Sequence, residues 1–277
     1  MRFPIPFAKM SGSGNDFILV DHREPCLQEA EMPAFAAAVC RRRFSVGADG
    51  LILLEPSPRA AFRWRFFNAD GSPAAMCGNG ARCAARFAVE KGIARPTHSF
   101  ETGAGIITAE VLGREVRISL TAPSRFVAER PLLVSGQELR VASIDTGVPH
   151  AVHFVSPADL ERVPVADWGR TLRLHPEFAP AGTNANFAAV VSRNDLRLRT
   201  YERGVEAETM ACGTGAVAAV LCAALAGRVD SPVAVVTTGG ERLTIHFQRQ
   251  GDAIVSVQLQ GGAALIYEGL LGPEAIG

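Results

Sequence analysis

The feature that most constrains the fold of this 277-residue chain is a single internal repeat with a period of 135 residues. Around one cysteine the sequence runs Met76-Cys77-Gly78-Asn79-Gly80-Ala81, then an apolar stretch to Val89 and a break at Lys91-Gly92. Around another it runs Ala211-Cys212-Gly213-Thr214-Gly215-Ala216, then a similar stretch to Ala226 and a break at Gly227. The same offset carries Gly47-Ala48-Asp49-Gly50-Leu51 onto Gly182-Thr183-Asn184-Ala185-Asn186, and Thr102-Gly103 matches Thr238-Gly239 one residue later. One glycine-flanked cysteine is an ordinary event. Two in matching surroundings indicate a duplicated fold.

Each half reads alike. Alternating segments such as Phe17–Val20, Ala61–Phe67, Val116–Leu120, Ala151–Val155, Arg197–Tyr201 and Ile254–Leu259 predict strands, and a helix follows each Cys-Gly-x-Gly turn. The expected architecture is α+β: two pseudo-symmetric half-domains, residues 1–126 and 127–277, each a curved, mostly antiparallel sheet around a central helix. Their boundary is expected near Pro123–Pro131, with the C-terminal tail crossing back to the first half. Pseudo-twofold symmetry predicts an active site in the cleft between the halves, with the two cysteine turns facing each other.

Composition narrows the function. Lys plus Arg equals Asp plus Glu at 28 each, so there is no basic surplus for a nucleic-acid or anionic-membrane partner. The one basic run, Arg41-Arg42-Arg43, closes an apolar stretch that opens with Glu29, Glu31 and Pro33, as a helix complementing its own dipole would. The N-terminal residues do not form a signal peptide, and Ala216–Ala226 is too short to span a bilayer, which predicts a cytoplasmic protein. The six cysteines (26, 40, 77, 83, 212 and 222) form neither a disulfide framework nor a zinc-ligand pattern, so no metal is expected. Only Lys9 and Lys91 are lysines, so a Schiff-base enzyme would have to use one of these two.

A cysteine followed by Gly-x-Gly at a helix start sits among unpaired N–H groups at the positive end of a dipole. That setting predicts a thiol more acidic than the usual value of about 8.5. The glycines let the backbone approach a ligand, and the N–H groups can hold a carboxylate. Two such motifs supply a base for one side of an amino-acid α-carbon and an acid for the other, the minimum for inverting it. Cys77 and Cys212 are therefore the expected catalytic pair, whereas Cys83 and Cys222, further along the same helices, read as core.

With these residues in view, the chain resembles the diaminopimelate epimerase family, of the pyridoxal-phosphate-independent amino-acid racemases. The likeness runs through Lys9-Met10-Ser11-Gly12-Ser13-Gly14-Asn15-Asp16-Phe17, Phe67-Asn68-Ala69-Asp70-Gly71-Ser72 and Cys77-Gly78-Asn79-Gly80-Ala81-Arg82-Cys83. It continues through Gly182-Thr183-Asn184, Tyr201-Glu202-Arg203-Gly204 and Glu208-Thr209-Met210-Ala211-Cys212-Gly213-Thr214-Gly215, covering essentially the whole chain. The resemblance implies proton transfer by Cys77 and Cys212 without a cofactor, interconverting LL- and meso-diaminopimelate for lysine and peptidoglycan precursors. It implies that the backbone at Gly78, Asn79, Gly213 and Thr214 holds the α-carboxylate. It further implies that Asn15, Asn68, Asn184, Glu202 and Arg203 bind substrate, that His150 and Glu202 tune the thiols, and that the chain is a homodimer. Three departures bear on this: Val148 stands where the family often has Asn, Gly50 where some members have Gln, and the stretch from Glu202 to Cys212 is one residue longer than in some members.

Rival readings are a histidine-, glutamate- or proline-type racemase of the same superfamily, a thiol-nucleophile enzyme pairing one cysteine with His150, and a non-catalytic binding protein. Asn79 argues against the proline branch, whose first motif usually reads Cys-Gly-His. A nucleotide-binding loop at Gly12-Ser13-Gly14 fails because Phe17 occupies the place of the third glycine.

Overall fold

A computed structural model describes residues 1–251 and 253–277. The chain divides into two compact units, Met1–Ile118 with Gly261–Gly277, and Ser119–Gln260. Of the segment Pro123–Pro131, all but Pro123 lies within a strand of the second unit that begins at Ser124.

In the first unit β1 (Ile5–Gly12) and β2 (Asn15–Asp21) form a hairpin whose turn, Ser13-Gly14, has φ of 51° and 88°. Positive φ at both turn residues matches the twist of a two-residue hairpin, which explains the Gly-Ser-Gly-Asn run as a turn. β2 runs parallel to β3 (Gly50–Glu55), and β3 antiparallel to β4 (Arg63–Asn68). β4 pairs with the short β5 (Pro73–Ala74) and, in parallel, with β6 (Thr97–Thr102). β7 (Gly105–Leu112) and β8 (Glu115–Ser119) continue antiparallel. One face of this sheet carries α1 (Met32–Val39), whose Met32, Phe35, Ala36 and Val39 pack with Ile18, Val20, Leu51, Leu53 and Phe67. The other face carries α2 (Gly78–Glu90). β3 is buried on both faces, which is why Leu51–Leu54 reads as a continuous apolar run.

The second unit repeats this plan. β9 (Ser124–Val134) pairs with β10 (Gln137–Asp145), and β10 with β11 (Pro149–Phe154). β11 runs parallel to β12 (Asn184–Ser192), β12 antiparallel to β13 (Asp195–Glu202), and β13 pairs with β14 (Ala207–Thr209) and, in parallel, β15 (Val233–Val236). β16 (Arg242–Gln250) and β17 (Ala253–Gly262) follow antiparallel. β18 (Ala264–Leu271), in the first unit, pairs antiparallel with β1 as β9 does with β10. α4 (Gly213–Leu225) has the same length as α2 and lies 135 residues beyond it. α3 (Val165–Arg173) covers the opposite face of its sheet, with Val165 and Leu172 against Ala185, Phe187 and Tyr201. Each half therefore has the expected mostly antiparallel sheet and central helix, plus an outer helix. Among the described residues no helix is long and apolar enough to cross a membrane.

Strand pairing decides what fits at Gly50. A Cβ there would lie 2.5 Å from the Phe66 ring and 2.7 Å from the Phe67 carbonyl oxygen, so the glutamine of some family members cannot enter unless β4 moves. Gly50→Ala is expected to destabilise the protein by about 1–3 kcal/mol, the range for overpacking. Calorimetry checks this, and an unchanged Tm would show that the strand pair yields freely.

Candidate active site

In the first unit Cys77 caps α2 in an extended conformation (φ −147°, ψ 119°) and is half-buried. The first intrahelical bond runs from the Ala81 N–H to the Cys77 carbonyl at 2.8 Å, so the N–H groups of Gly78 and Asn79 precede the ladder and have no helical acceptor. Gly12, at the end of β1, lies against this turn: a Cβ there would sit 2.9 Å from the Asn79 carbonyl oxygen.

A directional hydrogen-bond chain starts at the same turn. Arg82, fully buried, donates through Nη2 to Asn79 Oδ1 at 3.0 Å and to the Ser13 hydroxyl. Asn79 Nδ2 donates to Asn15 Oδ1 at 2.7 Å, and Asn15 Nδ2 donates to Asp49 Oδ2 at 2.9 Å. Arginine can only donate and a carboxylate only accepts, so the two ends fix the orientation of both amides between them. Asp49 in turn accepts from Arg42 at 2.9 Å, and Arg42 also donates to both oxygens of Asp16, one of which lies 2.8 Å from Lys9 Nζ. The basic triplet, read as the end of a helix, lies just past α1, and its Arg42 serves this network. Asn68 ends β4 with its amide turned to the Ser72 hydroxyl at 3.0 Å, inside its own turn.

In the second unit Cys212 caps α4 (φ −125°, ψ 106°) and is buried. Its Sγ accepts from the Gly215 N–H at 3.4 Å and lies 3.6 Å from the Thr214 hydroxyl. The expectation of an acidified thiol is corrected here. Burial pushes Cys212 up to about 12, the Glu202 carboxylate adds to the rise, and the bonds from Thr214 and Gly215 only oppose it. Desolvation of a thiolate outweighs the amides of the helix start. Burial likewise pushes Cys83 and Cys222 up to about 12, in keeping with their place in the core.

Glu202, at the end of β13, is half-buried, and burial raises its carboxyl above the ordinary range against the opposing Thr209 hydroxyl. The next N–H, of Arg203, donates to Asn184 Oδ1 at 2.8 Å, while Asn184 Nδ2 reaches the Pro149 carbonyl at 3.3 Å. Asn184 stands beside His150 in the β11–β12 register. His150 is 1 % exposed, and burial with the nearby Arg203 charge pushes it down to about 3, so the imidazole is neutral. Between β13 and β14 the chain makes a tight turn in which the Glu206 N–H closes on the Glu202 carbonyl at 2.8 Å. Beyond it, Arg199 grips Glu208 with two bonds of 2.8 Å, anchoring the strand that leads to Cys212.

The family model described as diaminopimelate epimerase matches residues 7–127 and 142–266. The chain is 46 % identical to a diaminopimelate epimerase of Aquifex aeolicus, over 98 % of this chain and 99 % of that protein. It is 42 % identical to one from Archaeoglobus fulgidus, over 96 % of each. The chain belongs to the diaminopimelate epimerase family. In fold it is similar to a phenazine biosynthesis protein of the PhzF family from Bacillus anthracis, with TM-score 0.75, 17 % identity and coverage of 98 % and 100 %. It is also similar to a hydroxyproline epimerase from Agrobacterium vitis, with TM-score 0.70, 18 % identity and coverage of 100 % and 96 %.

Against the family's motifs, the structure joins Asn15 and Asn79 beside Cys77 and Gly78, and brings Glu202, Thr214 and Gly213 to Cys212. Asn184, Arg203 and His150 form a cluster on neighbouring strands, while Asn68 bonds within its own turn. Sequence reading missed Asp49 and Arg82, which orient the asparagines, and Asn186, which touches His150. A usable signal existed for the last: Asn184 and Asn186 alternate onto one strand face.

The network has a pH signature. Burial alone would raise Asp16, but bonds from Arg42 and Lys9 more than reverse this and hold it at about 2, below its usual 3.8. A depressed carboxyl adds stability above its unfolded pKa that is lost as pH falls through the folded one. Asp16→Asn is therefore expected to lower stability at neutral pH and to flatten the loss between pH 3.8 and about 2. Denaturant titrations of both proteins check this; parallel pH curves would show that Asp16 contributes nothing.

Proposed function

We propose that this chain is a cofactor-independent diaminopimelate epimerase in which Cys77 and Cys212 act as the base and acid of a two-base reaction. The observation that carries the reading is that each half of a duplicated fold caps its central helix with a cysteine, within a family match spanning both halves. In one direction the Cys77 thiolate removes the α-proton and the C–H electron pair remains as a carbanion. The Cys212 thiol then delivers its proton to the opposite face and becomes the thiolate. In reverse the roles exchange. A thiol pushed up to about 12 is protonated at neutral pH, which suits Cys212 to the acid role.

The carbanion needs its carboxylate held by donors that are already aimed. Helix-start amides at Gly78, Asn79, Gly213 and Thr214 provide them. The second amino-acid head of diaminopimelate requires acceptors and donors together: Glu202 for its ammonium, and Arg203 with the amides of Asn15, Asn68 and Asn184 for its carboxylate. Val148 contributes only apolar contact. The reading uses neither lysine: Lys9 is buried against Asp16, and Lys91 pairs with Glu268 at the surface.

The test is LL-diaminopimelate in D2O, following α-deuteration and the epimer ratio together. Wild type, dialysed against a chelator and without added cofactor, is expected to form meso product with one α-deuterium. It should do so with kcat/KM well above that for lysine, glutamate, proline or histidine. Cys77→Ala and Cys212→Ala are each expected to lose about 10²–10⁴-fold or more, the usual contribution of a general acid or base. Cys83→Ala and Cys222→Ala should retain most activity. Full turnover by Cys212→Ala would sink the two-base reading, and faster turnover of a single-headed amino acid would sink the substrate.

The same reading places the enzyme in the cytoplasm, because paired thiols working as acid and base need a reducing compartment. The reading also takes the enzyme as a homodimer: β18 exposes Ile266, Tyr267 and Leu270, apolar side chains that a second copy would cover. Native activity should fractionate with the cytosol and elute at twice 29.4 kDa. A monomer by light scattering would remove the dimer.

A further inference from the structure

We propose that Asn186 is a positioning residue that holds His150 as the Nε2–H tautomer, so that His150 serves the reaction as a hydrogen-bond donor and not as a base. The second half of this statement rests on the reading of His150 as part of the reacting site; the first stands on local geometry.

Asn186 is fully buried on β12, under the first turn of α4. Its Nδ2 lies 2.9 Å from the Ala151 carbonyl oxygen, which can only accept, so that atom is the amide nitrogen. Its Oδ1 accepts from the Thr200 hydroxyl at 3.0 Å, from the residue directly opposite in the β12–β13 register. With both ends of the amide fixed, the contact of 3.1 Å between Asn186 Nδ2 and His150 Nδ1 has one meaning: the amide donates and the ring nitrogen accepts. Nδ1 therefore carries no proton. An imidazolium, or the Nδ1–H tautomer, would set two donors face to face.

The neutral ring then bears its proton on Nε2. That atom is buried and has no hydrogen-bond partner among the described residues. A buried donor without an acceptor departs from the general rule for folded proteins and calls for an explanation. Arg203, whose charge faces the ring, opposes its protonation as burial does.

The duplication shows that this arrangement is not required by the scaffold. Under α2 the corresponding strand row is Leu19, Ile52 and Phe66, and a Cβ on Gly80 would meet the Ile52 side chain. Under α4 the row is Val152, Asn186 and Thr200, and a Cβ on Gly215 would collide with Asn186 Oδ1. The same architecture closes over an apolar row in one half. In the other it keeps a buried amide and hydroxyl, and that amide reaches the carbonyls of Ala151 and Asn184 and the ring of His150.

The experiment is ¹⁵N-histidine labelling of the full protein, with long-range ¹H–¹⁵N correlation spectra across neutral pH. The His150 signals are assigned among the six histidines by their loss in His150→Gln. The expected pattern is a protonated Nε2 and a bare Nδ1. An Nδ1–H or doubly protonated ring overturns the proposal. Asn186→Asp presents an acceptor to Nδ1 and is expected to move the proton there, with kcat falling about tenfold or more while KM changes little, since a wrong tautomer alone can cripple a site. An unchanged tautomer in folded Asn186→Asp also overturns it. If that variant does not fold, the wild-type spectrum decides alone. The spectra are independent of turnover, so a failed activity assay would count against the functional reading and leave the tautomer assignment to its own result.

Discussion

The close approach of each central helix to its sheet, permitted by glycine at the first turn, is the constraint on which the rest depends. At Gly80 and Gly215 there is no room for a Cβ in the usual sense: one would press on Ile52 and the other would overlap the Asn186 amide. Gly12 closes the approach from the sheet side, against the Asn79 carbonyl. At these helix starts Asn79, in the first turn of α2, bonds Asn15 at the start of β2, and Cys212, the cap of α4, feels the charge of Glu202 at the end of β13. The glycines of Cys-Gly-x-Gly are thus packing residues first, and the amide cradle follows from the packing.

Duplication supplied two copies of this scaffold, and the polar chemistry laid on them differs. The first half runs a charged chain from Arg82 through Asn79 and Asn15 to Asp49, tied off by Arg42, Asp16 and Lys9. Its charges sit at the ends, so the amides between them have no freedom to flip. The second half uses a neutral set, Thr200, Asn186 and His150, with Glu202 beside the thiol. In the proposed reaction the fixed donors would suit a bound carboxylate, and the neutral ring and the carboxylate of raised pKa would suit the half where a proton moves.

Much of this was legible in the sequence because it rests on local rules. The repeat, the alternation of strands such as Arg197–Tyr201 and the caps at Cys77 and Cys212 follow from periodicity and turn chemistry, and the structure has these elements in place. What was not legible depends on distant partners. α3 covers the sheet with only Val165, Gly169 and Leu172 buried, too sparse a stripe to stand out from its charged neighbours. Asp49 gains its role from a strand pairing that brings it to Asn15, and Arg42 looked like a helix end until Asp16 and Asp49 were placed against it. The pKa of Cys212 could not be read at all: the motif announces the helix dipole and says nothing of the burial that overrides it.

That override bears on how the helix amides are used. Had the α4 amides outweighed burial, Cys212 would be ionised at neutral pH and would hold no proton to give. The N–H groups of Thr214 and Gly215 both turn to Sγ, the latter at 3.4 Å, which is long for a charge-stabilising bond. The Gly213 N–H lies ahead of the first helical bond, from Ala216 to the Cys212 carbonyl, and has no helical acceptor. An α-proton is removable only while the substrate carboxylate is stabilised, and a thiol returns a proton readily only if it still holds one. In the proposed reaction a buried sulfur beside a forward Gly213 amide would meet both demands at one helix start.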